Sequence, residues 1–63
     1  MSVEPMASGR YFNAATQQYE IWAVNQYTGE RRLLGTYSKM LAELEPAAFT
    51  DWEQRVWRRW LFA

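Results

Sequence analysis

The sequence contains neither cysteine nor histidine. Disulfides, thiol nucleophiles and the commonest zinc ligands are therefore excluded, as is the side chain that most often transfers protons near neutral pH. Seven cationic side chains balance seven anionic ones, so the formal net charge is zero. Since no overall field steers the chain towards nucleic acid or anionic lipid, an electrostatic function must depend on local segregation of charge.

Long apolar runs are also missing. The opening segment, MSVEPMASG, has neither the basic stretch nor the apolar run of a signal peptide, and no later segment approaches ~20 uninterrupted apolar residues. We therefore expect a cytoplasmic protein without a membrane span. Small residues together with Pro5 and Gly9 predict a flexible tail over residues 1–9, followed by a single domain over residues 10–63.

Apolar residues make up 49% of the chain and aromatic residues 17%, which is far too hydrophobic for a disordered protein. The segment YEIWAVNQYTGERRLLGTY predicts a β-hairpin, with Thr28 and Gly29 at the turn, and RYF before it predicts a short strand. A chain of 63 residues buries a small core, so a partner or self-association would add stability.

The register of the hairpin can be counted outward from the turn if Tyr27 pairs with Glu30. The pairs that follow are Val24 with Leu33, Ala23 with Leu34, Trp22 with Gly35 and Ile21 with Thr36. One face then carries Trp22, Val24, Leu33 and Tyr37, and the other carries Tyr19, Ile21, Ala23 and Leu34. Because a sheet with one solvated face shows clean alternation, both faces here need a cover. For the second face, that cover is the first strand, the tail or residues 38–45, or else a second protein.

Two helices are predicted after the hairpin. Ser38 is suited to cap KMLAEL, a short helix near residues 39–45 that Pro46 ends or redirects. Thr50 and Glu53 have the spacing of a capping box, which predicts a longer helix over residues 50–62.

On a helical wheel, the longer helix has a narrow band that should face the core. Its members are Phe49, Trp52, Val56, Trp60 and Ala63. Trp57 and Leu61 widen the apolar arc to about 180°, opposite the side that carries the arginines. A hairpin alone is too small to cover half the circumference of a helix, so Trp57 and Leu61 are expected to stay exposed or to meet a partner.

These elements predict an α+β fold: an antiparallel hairpin or three-stranded meander packed against a C-terminal amphipathic helix, with a short helix between. In outline this is similar to the sheet-plus-helix domains of some integrases and plant transcription factors, although no family motif is matched. That resemblance implies nucleic-acid binding, for which the candidate residues are Arg31, Arg32, Arg55 and Arg59. Carboxylates spread over the same small surface oppose it.

Protein binding is the function that the composition favours. No catalytic, cofactor or metal site is expected, since the carboxylates lie at turns and at a helix start, where solvation and capping account for them. Trp, Tyr and Arg, which dominate interface hot spots, are abundant. We expect a non-catalytic inhibitor or adaptor of a larger machine, of the kind that phages and mobile elements encode, or a homo-oligomer. The expected contact residues are Trp57, Leu61, Phe62 and Arg58, with Trp22 and Tyr37 if the second hairpin face is free.

Overall fold

The computed structural model describes residues 5–62 of the chain. Its elements are strands β1 (Gly9–Asn13), β2 (Gln18–Val24) and β3 (Arg31–Ser38), followed by helices α1 (Lys39–Leu44) and α2 (Pro46–Phe62). The strands form one antiparallel sheet in the order β1-β2-β3. The predicted α+β class is therefore confirmed in its three-stranded form, with the short helix between the sheet and the C-terminal helix.

The turn between β2 and β3 is longer than the predicted one. The backbone N–H of Asn25 donates to the carbonyl of Glu30 at 2.8 Å, and that of Gly29 donates back to the carbonyl of Asn25 at 2.7 Å. The Asn25 side-chain oxygen also accepts from the N–H groups of Tyr27 and Thr28. Gly29 has φ of 77°, which glycine adopts without steric cost. The turn thus occupies residues 26–29, and the predicted pair of Tyr27 with Glu30 is wrong.

The register of the hairpin changes accordingly. The observed partners are Val24 with Arg31, Ala23 with Arg32, Trp22 with Leu33, Ile21 with Gly35 and Tyr19 with Tyr37. Near the turn the predicted pairs are wrong by two residues, which keeps each side chain on its expected face. A bulge lies between Ile21 and Trp22, and beyond it the predicted partners are wrong by one residue. A shift of one residue moves the β3 side chains beyond the bulge to the face opposite the predicted one. Tyr37 consequently lies on the same face as Tyr19, not on that of Trp22.

The helix face of the sheet is the one that packs against α2. Its aromatic side chains join those of α2 in a cluster with ring centroids 4.8 to 6.0 Å apart; the members are Phe12, Tyr19, Tyr37, Phe49 and Trp52. Gly35 lets the helix approach closely, because a Cβ at this position would lie 3.1 Å from Cζ2 of Trp52. Ile21 is the one large side chain of the described residues that is fully buried. The core is therefore a thin layer between sheet and helix.

The other face of the sheet, here called the outer face, carries Trp22 and Glu20. The indole N–H of Trp22 donates to Glu20 at 3.0 Å. Residues 5–8 lie along this side: the Pro5 carbonyl accepts from Arg31 Nε at 2.7 Å, and the Ala7 carbonyl accepts from the Tyr11 hydroxyl at 2.6 Å. The described part of the segment expected to be a tail thus contacts the sheet, while residues 1–4 lie outside the described residues.

The residues at the starts of the two helices explain why each helix begins where it does. The Ser38 hydroxyl accepts from the N–H of Leu41, as predicted for the cap of α1. The start of α2 at Pro46 instead of Thr50 is a correction, since proline suits the first helical position and the Glu45 carbonyl accepts from the N–H of Phe49. Thr50 is therefore inside the helix, and the predicted capping box is wrong.

Candidate protein-contact surface

The last turn of α2 is the most exposed apolar part of that helix. Leu61 is 69% exposed and Phe62 is 83% exposed. Trp60, which the wheel predicts to be in the core, is 41% exposed, and Ala63 lies outside the described residues. Trp60 lies beside Arg32, at the beginning of β3, so the following residues of α2 extend past the end of the sheet.

Positive charge surrounds this turn. Arg58 and Arg59 are exposed, and neither makes a hydrogen bond or ion pair with another of the described residues. The Arg32 guanidinium lies over the Trp60 ring at 5.7 Å from its centroid. Residues 54–62 include no acidic residue. We call Trp60, Leu61 and Phe62, with Arg32, Arg58 and Arg59 around them, the α2 end.

The carboxylates that precede the α2 end in the helix already have partners. Asp51 pairs with Arg55 one turn later. Glu53 accepts from Arg10 at 2.6 Å, and the Arg10 guanidinium also lies 5.0 Å from the centroid of the Phe49 ring. These contacts neutralise the first half of α2. The arginines that follow Arg55 have no such partners in the described part of the helix. The acidic residue nearby is Glu30, which lines a cleft with Arg32 and Trp60.

A second apolar surface lies on α1. Met40, Leu41 and Leu44 are 69%, 53% and 70% exposed, whereas the small Ala42 on the opposite side of the helix is buried. The helix thus turns its apolar side outward. We call Met40, Leu41 and Leu44 the α1 ridge. Sequence reasoning missed it because spacing reveals only that these residues share a side, not which way that side points.

The structure brings together four of the six predicted contact residues. Leu61, Phe62 and Arg58 are exposed on the last two turns of α2. Trp57 lies next to them but is half-buried and less exposed than Trp60, so its expected exposure on the wheel is wrong. Trp22 and Tyr37 are separated from one another by the sheet, which corrects their assignment to one face. Trp22 is on the outer face, and Tyr37 packs against Phe49 and Trp52 with centroids 5.1 and 4.9 Å away.

The four arginines proposed for nucleic-acid binding do not form one patch. Arg31 and Arg32 are adjacent in β3 and so point to opposite faces, where Arg31 donates to the Pro5 carbonyl and Arg32 lies over Trp60. Arg55 is paired with Asp51, and only Arg59 belongs with Arg32 to the α2 end. The outer face has the carboxylate of Glu20 between Trp22 and Asn13, to both of which it is hydrogen-bonded.

Acidic side chains are scattered in the same way. Within residues 5–62, no group of three carboxylates is placed to hold a metal ion. In the same part of the chain, neither helix is long and apolar enough to cross a membrane.

Comparison with known proteins gives no match of this chain to a family model, to a curated protein or to a solved structure.

Proposed function

We propose that this chain is a small non-catalytic protein-binding module, whose contact surface is the α2 end. The observation that carries the proposal is the exposure of Leu61 and Phe62, at 69% and 83%, on an ordered helix next to Trp60. Large apolar side chains grouped on a surface mark interaction sites, and Trp, Tyr and Arg are the residues most enriched in interface hot spots. The proposed mode is that of an inhibitor or adaptor, which acts by occupying a surface of another protein.

The small core supports the same proposal. The accessible surface is 4978 Å², whereas a folded monomer of 7.5 kDa exposes roughly 4,200 Å². The Cα atoms extend over 38 × 32 × 12 Å, so the molecule is a thin slab of one helical layer on one sheet. A slab of this kind leaves more apolar surface in water than a globule of equal mass, and a partner that covers the α2 end would stabilise it.

The proposal can be tested with a variant that places two carboxylates on the α2 end. Leu61→Glu/Phe62→Glu should abolish stoichiometric capture of a partner from a lysate by the tagged protein, because the helix remains intact while its apolar contact is lost. The matched control is Thr50→Glu/Gln54→Glu, which introduces the same charge at two exposed positions in the middle of α2. The captured protein is identified by mass spectrometry, and binding of the purified protein is then measured by calorimetry.

Equal binding of the identified partner to the wild type and to both variants would contradict the proposal. Titration with duplex DNA at low salt provides a second check. Tight, steeply salt-dependent binding that is lost in Arg31→Gln/Arg32→Gln but kept in Leu61→Glu/Phe62→Glu would indicate a nucleic-acid-binding domain instead.

A further inference from the structure

Two exposed apolar surfaces lie at opposite ends of α2. The α1 ridge precedes the first turn, since α1 ends at Leu44 and α2 begins at Pro46. The α2 end occupies the last turn. With 17 residues at 1.5 Å per residue, the helix separates the two surfaces by about 25 Å. The two surfaces are therefore separate along the helix, and contact at one does not require contact at the other.

The charges around the two surfaces are of opposite sign. Glu43 and Glu45 flank the α1 ridge, and the single lysine there, Lys39, is engaged with Glu43 at 3.8 Å and with the Phe12 ring at 5.7 Å. Three arginines surround the α2 end, with Glu30 as the nearby acid. The molecule thus has an acidic apolar surface at one end and a basic apolar surface at the other. Its formal net charge of zero means that copies do not repel each other.

We propose that the α2 end of one copy binds the α1 ridge of a second copy, in a head-to-tail arrangement. The inference rests on the proposed function, because it identifies a partner for that same contact surface. Leu61 and Phe62 of one copy pack on Met40, Leu41 and Leu44 of the next. Arg58 and Arg59 then lie near Glu43 and Glu45, and this complementarity selects the orientation.

Symmetric pairing of like surfaces is disfavoured by the same charges. Two α2 ends in contact would bring six arginine side chains together with two Glu30 carboxylates, and two α1 ridges would bring four carboxylates together with two lysines. Juxtaposed like charges weaken an interface, so the heterologous contact is the better one. Because a heterologous contact leaves one surface of each type unoccupied at the ends, assembly continues into a ring or an open chain as concentration rises.

Two variants, each defective at one surface, provide the test. Leu61→Glu/Phe62→Glu blocks the α2 end, and Leu41→Lys/Leu44→Lys blocks the α1 ridge; each introduces the charge of the surface that it would meet. The matched controls are Thr50→Glu/Gln54→Glu and Thr50→Lys/Gln54→Lys in the middle of α2. Circular dichroism first establishes that all four variants fold, and sedimentation velocity then gives the mass from micromolar to near-millimolar concentration.

Head-to-tail binding requires the following pattern. The wild type and the controls increase in mass with concentration, while each blocked variant alone stays monomeric because its association weakens at least about tenfold. An equimolar mixture of the two blocked variants forms a dimer, since each contributes one intact surface. A wild type that remains monomeric, a blocked variant that still dimerises alone, or a mixture that stays monomeric would overturn the inference.

These outcomes are separable from those of the proposed function. If Leu61→Glu/Phe62→Glu abolishes binding to a different protein while the wild type is monomeric at all concentrations, the contact surface stands and its identification with a second copy fails. If the mixture dimerises and no other protein depends on Leu61 and Phe62, the second copy is the partner and the role of inhibitor or adaptor fails.

Discussion

Both halves of α2 carry aromatic side chains, Phe49 and Trp52 in the first and Trp60 and Phe62 in the second, but their surroundings differ. The first half faces Tyr19 and Tyr37, and its rings contact theirs in tilted pairs with centroids 4.8 to 5.1 Å apart. The second half faces the end of the hairpin near the turn, where Trp60 meets Arg32 and Phe62 is 83% exposed.

Aromatic content therefore does not by itself define a core. In this sheet the large side chains that meet the rings of α2 lie at the α1 end of β2 and β3. Near the turn, the β2 residue on the helix face is Ala23, which is small. The last turn of α2 therefore has large apolar side chains, Leu61 and Phe62, that remain exposed.

The largest difference in stability between the two halves of α2 is expected for the substitutions Trp52→Ala and Phe62→Ala. Trp52 contacts Tyr37 and Phe49 and lies over Gly35, so its removal leaves a gap in the only aromatic cluster that joins α2 to the sheet within residues 5–62. We expect the free energy of unfolding in urea to fall by about 2–4 kcal/mol for Trp52→Ala and to change by less than about 0.5 kcal/mol for Phe62→Ala. Equal losses would mean that the second half of the helix is packed as well as the first.

A smaller effect is expected for the arginines of the two halves. Arg10 pairs with Glu53 and lies over the rings of Tyr19 and Phe49, whereas Arg58 makes no hydrogen bond or ion pair with the other described residues. Arg10→Gln should lower the free energy of unfolding by about 1–1.5 kcal/mol, a value already reduced for the partial exposure of the pair. Arg58→Gln should leave it unchanged. A comparable loss at Arg58 in thermal unfolding would argue against a free α2 end.

The smallest difference in stability is expected between alanine substitutions at Ser38, which caps α1, and at Thr50, which lies inside α2. Ser38 caps α1, so Ser38→Ala should cost about 0.5–1 kcal/mol. Thr50 lies inside α2, where alanine is the better helix former, so Thr50→Ala should change stability by less than about 0.5 kcal/mol and in the favourable direction. Urea titration of both variants measures the difference. A cost at Thr50 equal to that at Ser38 would restore Thr50 as a cap.

Much of the fold could be predicted from the sequence because the determining contacts are local. Alternating apolar residues, the cap at Ser38 and the break at Pro46 each depend on neighbours within a few positions. The hairpin register could not be predicted, since the Thr28-Gly29 signal is compatible with several loop lengths. The side chain of Asn25, by accepting from Tyr27 and Thr28, fixed the longer turn.

The candidate site was predicted in part. Leu61 follows from the excessive apolar arc of α2, whereas Phe62 lies outside that arc on the wheel. The helical wheel predicts that Trp60 is in the core, because it has no information on how far the sheet extends along the helix. Tyr37 was assigned to the face of Trp22 because a one-residue bulge leaves no clear mark in the sequence, and it exchanges every face beyond it.

The set of elements, the lack of thiol and imidazole side chains and the separation of acidic from basic residues along the helices can all be read from the sequence. Which apolar side chains are covered depends on the tertiary structure. Helix and strand propensities act over a few residues, whereas burial depends on what lies opposite across the sheet. The α1 ridge has the apolar spacing of a core helix, yet it is exposed because Ala42 is the residue of α1 that faces inward.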